Sequence, residues 1–197
     1  MTRLRLAILI SGRGSNMDTL LRATKAPDYP ATPQLVLSNR PKAQGLERAR
    51  QFGVEALAID HRAFDGREAF EDAVHEALTS RGIEIVALAG FMRVLTPGFV
   101  RKWSGRMVNI HPSLLPKYPG LNTHARAIEA GDSEAGCSVH WVSEGVDEGQ
   151  VIAQARVPVK SGDSPDALAD RVLGAEHDLY PEALAQACRA IIARQER

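Results

Sequence analysis

The chain has 197 residues, a length that fits one α/β domain with a full core, and it predicts a single domain over residues 1–197. Lysine and arginine together number 24, as do aspartate and glutamate, so neither a nucleic-acid surface nor a basic membrane-binding surface is indicated. No apolar run approaches the roughly 20 residues that a membrane span needs. The two cysteines, Cys137 and Cys188, lack metal-type spacing and predict reduced thiols in a cytoplasmic protein whose partners are small molecules.

Apolar runs alternate with helical patterns along the first two thirds of the chain. The predicted strands are residues 4–10, 34–38, 54–59, 83–89 and 107–110. The predicted helices are residues 16–25, 43–51, 65–80, 97–103 and 123–130. This alternation predicts a largely parallel sheet with helices on both faces, because several of the strands are apolar at nearly every position. A hairpin is predicted from residues 137–142 and 150–157.

The last segment, from residue 164 to about residue 194, has a helical apolar stripe. Ser164 is predicted to cap this helix, and Pro165 to occupy its first position. Glu176 falls on the stripe, where an unpaired charge is costly, so it either pairs with a cation or extends its carboxylate to solvent. Pro181 is expected to kink the helix or to begin a second one.

Asn109 and His111 lie two residues apart at the end of a predicted strand, so their side chains share one face. Ligands bind beyond the carboxyl ends of parallel strands, which favours a functional role over a strand-end turn with a hydrogen-bonded histidine. Asp147, in the hairpin loop, would favour the imidazolium if it folded over His111, and otherwise would be a solvated turn residue. A metal site that adds His124 and His140 to His111 and Asp147 lacks short ligand spacing, so no metal is predicted.

A glycine-rich turn, Ser11-Gly-Arg-Gly-Ser-Asn16, joins the first strand to the first helix and suits a phosphate. The dinucleotide fingerprint fails, because Met17 stands at the third glycine position and the second strand ends in Ser38-Asn39 without an acidic residue. A Walker A sequence is also absent. A single phosphate, as on a ribosyl monophosphate, remains, beside the plainer alternative of a turn that packs the first helix. Residues 89–95 either wall a flat heteroaromatic ligand or simply end a core strand.

Together these motifs closely resemble the phosphoribosylglycinamide formyltransferases, a folate-dependent family of purine synthesis. The matching segments extend from one end of the chain to the other. They are Ser11-Gly-Arg-Gly-Ser-Asn16, Ser38-Asn39, Leu46-Glu-Arg-Ala49, Ala89-Gly-Phe-Met-Arg93, Asn109-Ile-His-Pro-Ser-Leu-Leu-Pro-Lys-Tyr-Pro-Gly120, Asp147-Glu-Gly149 and Glu176-His177.

The resemblance implies a Rossmann-like three-layer sandwich around a mostly parallel seven-stranded sheet with an antiparallel last strand, and no nucleotide cofactor. It implies transfer of the formyl group from 10-formyltetrahydrofolate, as co-substrate, to the glycyl amine of N1-(5-phospho-D-ribosyl)glycinamide in purine synthesis. A 10-formyltetrahydrofolate hydrolase is the alternative. The expected partners are these small molecules, and the expected assembly is a monomer or homodimer.

The resemblance also implies a role for each matching position. The catalytic residues are Asn109, His111 and Asp147. The ribonucleotide-binding residues are Gly14, Ser15, Asn16 and Glu176. The folate-binding residues are Arg67, Met92, Arg93, Val94, Leu95 and Asn109. The chain departs from the family pattern at four positions. Histidine is common at the position of Asn122 and threonine at that of Cys137, while Glu148 and Gln150 replace glycine and proline. These departures leave the loop geometry and the folate affinity open.

Overall fold

The computed structural model describes residues 2–196. The strands are β1 Leu4–Ile10, β2 Ala31–Ser38, β3 Glu55–Ala58, β4 Ile85–Leu88, β5 Met107–His111, β6 Glu134–Trp141 and β7 Val151–Pro158. The helices are α1 Ser15–Ala23, α2 Gln44–Gln51, α3 Arg67–Thr79, α4 Pro97–Lys102, α5 Thr123–Glu129 and α6 Pro165–Gln195, with a 3₁₀ turn at His61–Ala63.

The seven strands form one sheet in the order β3-β2-β1-β4-β5-β6-β7. The strands β1 to β5 are parallel, β6 pairs antiparallel with β5, and β7 pairs antiparallel with β6. The predicted seven-stranded, mostly parallel sheet with an antiparallel last strand is therefore confirmed, with β7 antiparallel to its neighbour β6. The strand that runs against the others is β6, and β7 returns to the direction of the first five.

Alternate residues of the central strands pack into two separate cores. Leu6 and Ile8 of β1 join the core formed with α1 and α6. Ala7 and Leu9 join the core on the opposite face, with α3 and α4. Since both faces are covered, every position from Leu6 to Ile10 is buried, which explains the uninterrupted apolar sequence of this strand.

The helix α6 begins as predicted, because Ser164 caps it by accepting from the Ala167 N–H at 3.2 Å. Pro181 lies inside the helix, so the expectation that a second helix begins there is wrong. Tyr29 Oη donates to the Pro181 carbonyl at 2.8 Å. Within residues 2–196, no helix is long and apolar enough to cross a membrane.

Candidate active site

Most of the predicted site residues lie at, or just beyond, the carboxyl ends of three strands, β1, β4 and β5. These ends and the loops that follow them lie side by side at one edge of the sheet, because the strands are parallel neighbours. The Ser11 N–H donates to the Gly90 carbonyl at 3.1 Å, which joins the first two loops directly. This edge of an open α/β sheet is the usual place for a ligand.

The side chains of Asn109 and His111 share one face of β5, as predicted. The residues between and before them, Val108 and Ile110, pack on the opposite face against the core that includes α6. The antiparallel register places His140 opposite Asn109 and Ser138 opposite His111. Directly opposed residues project to the same face, so one face of this strand pair carries an amide, two imidazoles and a hydroxyl.

Asp147 folds over this face and contacts the predicted histidine. Its Oδ2 lies 3.3 Å from His111 Nδ1 and accepts from the Gly120 N–H at 2.9 Å. On the other side of the ring, His111 Nε2 donates to the Tyr118 carbonyl at 2.9 Å. Because a carbonyl only accepts, Nε2 carries a proton, and an unprotonated Nδ1 would direct its lone pair at a carboxylate. The geometry therefore suits the imidazolium form of His111.

The Asp147 carboxylate is held in its ionised state. Burial alone would raise the pKa of Asp147, but its contacts with His140, the Gly120 amide and His111 outweigh burial and lower this pKa below its ordinary value. Its backbone has φ 56°, in the left-handed region that aspartate tolerates better than most residues. Backbone strain of this kind concentrates at functional sites.

His140 is a site residue that the sequence presented only as part of a rejected metal cluster. Its Nδ1 donates to the Trp141 carbonyl at 3.0 Å, and its Nε2 lies 3.3 Å from Asn109 Nδ2 and 3.5 Å from Asp147 Oδ1. The neutral ring can accept from Asn109 at Nε2, whereas the protonated ring can donate to Asp147. His140 thus contacts two of the three predicted catalytic residues, and only the strand register reveals this.

The predicted phosphate loop presents a row of unpaired amides. Gly14 has φ 79° and precedes α1, and its carbonyl accepts from the Asp18 N–H at 2.9 Å. The N–H groups of residues 12–17 donate to no acceptor among residues 2–196. Consecutive free amides at a helix N-terminus form an anion-binding nest, and the role of Gly14 and Ser15 in binding a phosphate stays a prediction.

Glu176 projects from α6 to this loop. Its Oε2 accepts from Asn16 Nδ2 at 2.7 Å, and the residue is only 7% exposed. Burial raises the pKa of the Glu176 carboxyl, and the hydrogen bond from Asn16 offsets part of that rise. The alternative that this carboxylate reaches solvent is therefore wrong. Its partner within the described chain is an amide, so the predicted cation would have to come from a ligand.

The loop after β4 is tied to the phosphate loop by Ser11. The Ser11 hydroxyl accepts from the Met92 N–H at 2.8 Å and donates to Asn39 Oδ1 at 2.5 Å. Sequence reasoning placed Ser11 in the loop motif without giving it this role. The single hydroxyl links the predicted ribonucleotide and folate regions.

The predicted folate residues form the rest of this loop. Met92 and Val94 are 66% and 61% exposed, whereas Leu95 packs on the core shared with α3 and α4. Arg67, at the start of α3, donates from Nη1 to the Val94 carbonyl at 3.4 Å. The Arg93 Nε is buried and has no hydrogen-bond partner in the described chain. The loop thus offers exposed apolar side chains beside an unused donor.

Glu71 anchors the end of the same loop and was not expected from the sequence. This buried carboxylate of α3 accepts from the Thr96 N–H at 2.8 Å and from the Thr96 hydroxyl. Thr96 in turn caps α4. An acidic residue inside a helical pattern normally indicates a solvated face, so the sequence carried no signal for this role.

The departures from the family pattern fall around the site without removing a predicted group. Asn122 has φ 57°, a conformation that asparagine tolerates. Cys137 is buried in a core with α5 and α6. The Glu148 side chain packs on Gly145, and the Gln150 carbonyl accepts from the Trp141 N–H at 2.9 Å. Across residues 2–196 no group of three or more His, Cys, Asp or Glu side chains is arranged to hold a metal ion.

Comparison with known proteins identifies the class to which this fold and site belong. The pattern that describes the family "Formyl transferase" matches residues 4–184, and the chain belongs to that family. The chain is 48% identical over 178 residues to the phosphoribosylglycinamide formyltransferase of Escherichia coli, covering 90% of this chain and 84% of that protein. It is 50% identical over 185 residues to the trifunctional purine biosynthetic protein adenosine-3 of Drosophila melanogaster, of which it spans 14%.

Solved structures of the same family superpose closely on the chain. The crystal structure of phosphoribosylglycinamide formyltransferase from Brucella melitensis matches with a TM-score of 0.91 at 48% identity, covering 95% of this chain and 96% of that one. A glycinamide ribonucleotide transformylase from Symbiobacterium toebii matches with a TM-score of 0.92 at 43% identity, covering 95% and 89%. The Rossmann-like sandwich expected from the sequence is confirmed.

Proposed function

We propose that this protein transfers the formyl group of 10-formyltetrahydrofolate to the glycyl amine of N1-(5-phospho-D-ribosyl)glycinamide. The products are formylglycinamide ribonucleotide and tetrahydrofolate, within the synthesis of purines. The relatives named for this activity support the proposal, because they match 90% and 95% of the chain. The observation that carries it is the hydrogen bond between Asn16 and Glu176, because it brings an anion nest and a buried carboxylate together.

The acceptor would bind at both ends of this pair. The free amides of residues 12–17 would hold its phosphate, with Gly14, Ser15 and Asn16 at the helix start. Glu176 would pair with its amine, and this gives the buried carboxylate the cation that it lacks. An acceptor with a phosphate at one end and an amine at the other fits both features, whereas a water molecule uses neither.

The folate would lie along the loop after β4. Its apolar ring system would contact Met92, Val94 and Leu95, and backbone groups of this loop would hydrogen-bond to the edge of the pterin. Arg67 and Arg93 would border the same pocket, where the buried Arg93 Nε has no partner among the described residues. Asn109 would meet the formyl group at the end of this pocket.

The glycyl ammonium first gives a proton to Glu176, whose pKa is raised by burial. The neutral nitrogen then attacks the formyl carbon, which forms a C–N bond and leaves a tetrahedral oxyanion. Asn109 has one amide hydrogen directed to His140 and a second one that can donate to this oxyanion. Stabilisation of this kind is worth about 3–4 kcal/mol at a site that excludes water. The His111 imidazolium adds positive charge on the same strand face.

Collapse of the intermediate breaks the bond between the formyl carbon and the folate nitrogen. The attacking nitrogen loses a proton, and the departing folate nitrogen gains one, so the reaction is balanced without an added acid. His111 would act as the acid through Nδ1, because Nε2 is hydrogen-bonded to the Tyr118 carbonyl, and it would regain its proton from the attacking nitrogen. Asp147 would keep His111 charged and position a water that carries the proton between the two nitrogens.

We also propose that the protein acts in the cytoplasm as a monomer or homodimer, with these small molecules as its partners. The unpaired thiols of Cys137 and Cys188 support a reducing compartment. Burial raises the pKa of both thiols to about 12, so they stay protonated and unreactive.

The test is incubation with 10-formyltetrahydrofolate and a panel of acceptors, followed by the absorbance of the folate. The panel contains the phosphorylated glycinamide, its phosphate-free form and glycinamide itself. We expect rapid tetrahydrofolate formation only with the phosphorylated acceptor. Formate release at the same rate without any amine would instead establish a 10-formyltetrahydrofolate hydrolase and overturn the proposal.

A further inference from the structure

The helix α2 packs on the outer side of the phosphate loop and holds its carbonyls. The Gly45 N–H donates to the Gly12 carbonyl at 3.1 Å. Arg48 Nη1 donates to the Arg13 carbonyl at 3.4 Å. The third carbonyl of the row, that of Gly14, is held from within α1 by the Asp18 N–H.

These contacts determine where the loop amides point. In a planar trans peptide, the carbonyl of one residue and the N–H of the next point in opposite directions. Because the carbonyls of residues 12 and 13 are directed at α2, the N–H groups of residues 13 and 14 are directed away from it. Their orientation therefore depends on a helix that contributes no group of its own to the predicted ligand.

Gly45 lets α2 approach this closely. A methyl group on Gly45 would lie 3.2 Å from the Gly12 oxygen, which is closer than an ordinary van der Waals contact. It would lie 3.4 Å from the Arg13 oxygen, which is the lower limit of such a contact. It would also lie 2.4 Å from Cδ1 of Ile10, which is fully buried. A side chain at Gly45 must therefore turn the end of the Ile10 side chain aside and shift the Gly12 carbonyl, or α2 itself, by a few tenths of an ångström.

Arg48 fixes the position of α2 from the other side. Its Nη2 pairs with Asp18 Oδ2 at 2.9 Å, while Nη1 reaches the Arg13 carbonyl. One guanidinium thus ties α2 to α1 and to the loop between β1 and α1. The Arg48 side chain is 47% exposed, so its ion pair contributes little to stability, and its main effect is to hold α2 in position against the loop.

We propose that Gly45 and Arg48 are positioning residues that orient the loop amides, and that they thereby set the preference of the enzyme for a phosphorylated acceptor. This inference rests on the proposed function, because it takes the loop as the phosphate site. Neither residue contacts the substrate in this account. Their effect reaches the phosphate only through the carbonyls of Gly12 and Arg13.

The test measures kcat and KM of the full chain with the phosphorylated acceptor, the phosphate-free acceptor and 10-formyltetrahydrofolate. Gly45→Ala and Arg48→Met are each expected to raise the KM for the phosphorylated acceptor about tenfold, the effect of weakening one charge-assisted hydrogen bond. The kcat and the KM for the folate should stay near their original values. The preference for the phosphorylated over the phosphate-free acceptor should fall by the same factor.

A second variant separates loop position from folding. Gly45→Ala combined with Ile10→Val removes the clashing Cδ1 atom but keeps the contact with the Gly12 carbonyl. It should restore the thermal stability lost in Gly45→Ala while the KM for the phosphorylated acceptor stays raised. A KM that returns to the original value together with stability would show a merely structural role and overturn the inference.

Matched controls lie elsewhere on the helices. Arg50→Met removes an exposed arginine of α2 that pairs with Glu47, and Gly174→Ala adds a methyl group where nothing lies within 4 Å. Both should leave all three KM values unchanged. If the wild-type protein prefers the phosphorylated acceptor and the Gly45 and Arg48 variants show the same preference, the inference about these two residues is overturned. The proposed phosphate site itself is then unaffected. A wild-type protein that ignores the phosphate overturns the proposed phosphate site as well.

Discussion

Replacing Glu176 by glutamine is expected to stabilise the free protein near neutral pH and to weaken acceptor binding. The carboxylate is 7% exposed, and its only hydrogen bond in the described chain comes from Asn16 Nδ2. Asn16 Oδ1 is itself buried without a partner among those residues. A glutamine would keep the first hydrogen bond through its own oxygen and could donate from its nitrogen to Asn16 Oδ1.

The variant thus removes one buried charge and satisfies one buried acceptor. Leaving such a group unsatisfied costs about 1–3 kcal/mol, and taking the lower end allows for imperfect geometry in the variant. A gain of about 1 kcal/mol corresponds to a rise in Tm of about 2–4 °C for a chain of this size. Loss of the ammonium-carboxylate pair should raise the acceptor Kd by at least about tenfold, since a hydrogen-bonded charge pair is worth about 1.5–3 kcal/mol.

The pH dependence gives this prediction its sign. Because burial raises the pKa of Glu176 in the folded state, the folded protein binds more protons than the unfolded chain between the ordinary and the raised values. The wild-type protein therefore loses stability as the pH rises through this window, whereas the glutamine variant does not titrate there. The advantage of the variant should therefore be smallest below the ordinary glutamate pKa and should grow as the pH rises above it.

The assay is thermal unfolding of both proteins at several pH values, with calorimetry of acceptor binding at neutral pH. The prediction is wrong if the variant is less stable than the wild-type protein at neutral pH. It is also wrong if the difference in stability between the two proteins is the same at both ends of the pH range. Unchanged acceptor affinity would separately remove Glu176 from the amine site.

Three further outcomes are expected. His111→Ala and Asp147→Asn should each lower kcat by about 10²–10⁴, the usual contribution of a general acid, while acceptor and folate Kd values stay within a few-fold; turnover near wild type in either variant would contradict the assignment. Ser11→Ala leaves the Met92 N–H and Asn39 Oδ1 without their partner, so the free energy of unfolding should fall by about 1–3 kcal/mol and the folate KM should rise. An unchanged folate KM would show that Ser11 does not order the loop after β4. Removing the acceptor phosphate should weaken binding by at least about a hundredfold, because several amides lose a charged partner; equal affinities in calorimetry would exclude the loop as a phosphate site.

The fold was largely predictable because the sheet is covered on both faces. Apolar runs at nearly every position of β1 and β4 indicated buried parallel strands, and the helices between them supplied the crossovers. The predicted starts of β2 and β6 both lie three residues too late, and the error at β2 has a physical reason. The strand β2 begins at Ala31, three residues before its predicted start, and Pro33 lies where the pairing with β1 is irregular between Leu6 and Ala7. Proline is tolerated in a strand at such an irregularity, although it signals a strand end from sequence alone.

The candidate site was predictable in its residues and less so in its contacts. The shared face of Asn109 and His111 follows from strand periodicity. The contact between Asp147 and His111 depends on the course of a loop, which no local pattern encodes. The position of His140 opposite Asn109 depends on the register of the antiparallel pair β5 and β6, which no local pattern encodes. A shift of one residue would have turned His140 to the other face.

The contact of Glu176 was also beyond what sequence patterns identify. The sequence identified a carboxylate on an apolar stripe and required a partner for it, which is a correct use of the cost of a buried charge. It could not identify that partner as Asn16, because 160 residues separate the two side chains. The apolar stripe predicted the burial of Glu176, and the partner followed only from how α6 packs against α1.

Transfer of the formyl group to the glycyl amine is tested most directly by following the formyl carbon. The protein is given 10-formyltetrahydrofolate with an isotopic label at that carbon, together with the phosphorylated glycinamide, and the products are separated and counted. We expect the label on the acceptor nitrogen in an amount equal to the tetrahydrofolate formed, and we expect Asp147→Asn to suppress both products together. Label recovered as free formate, in the same amount with and without the acceptor, would contradict transfer to the amine.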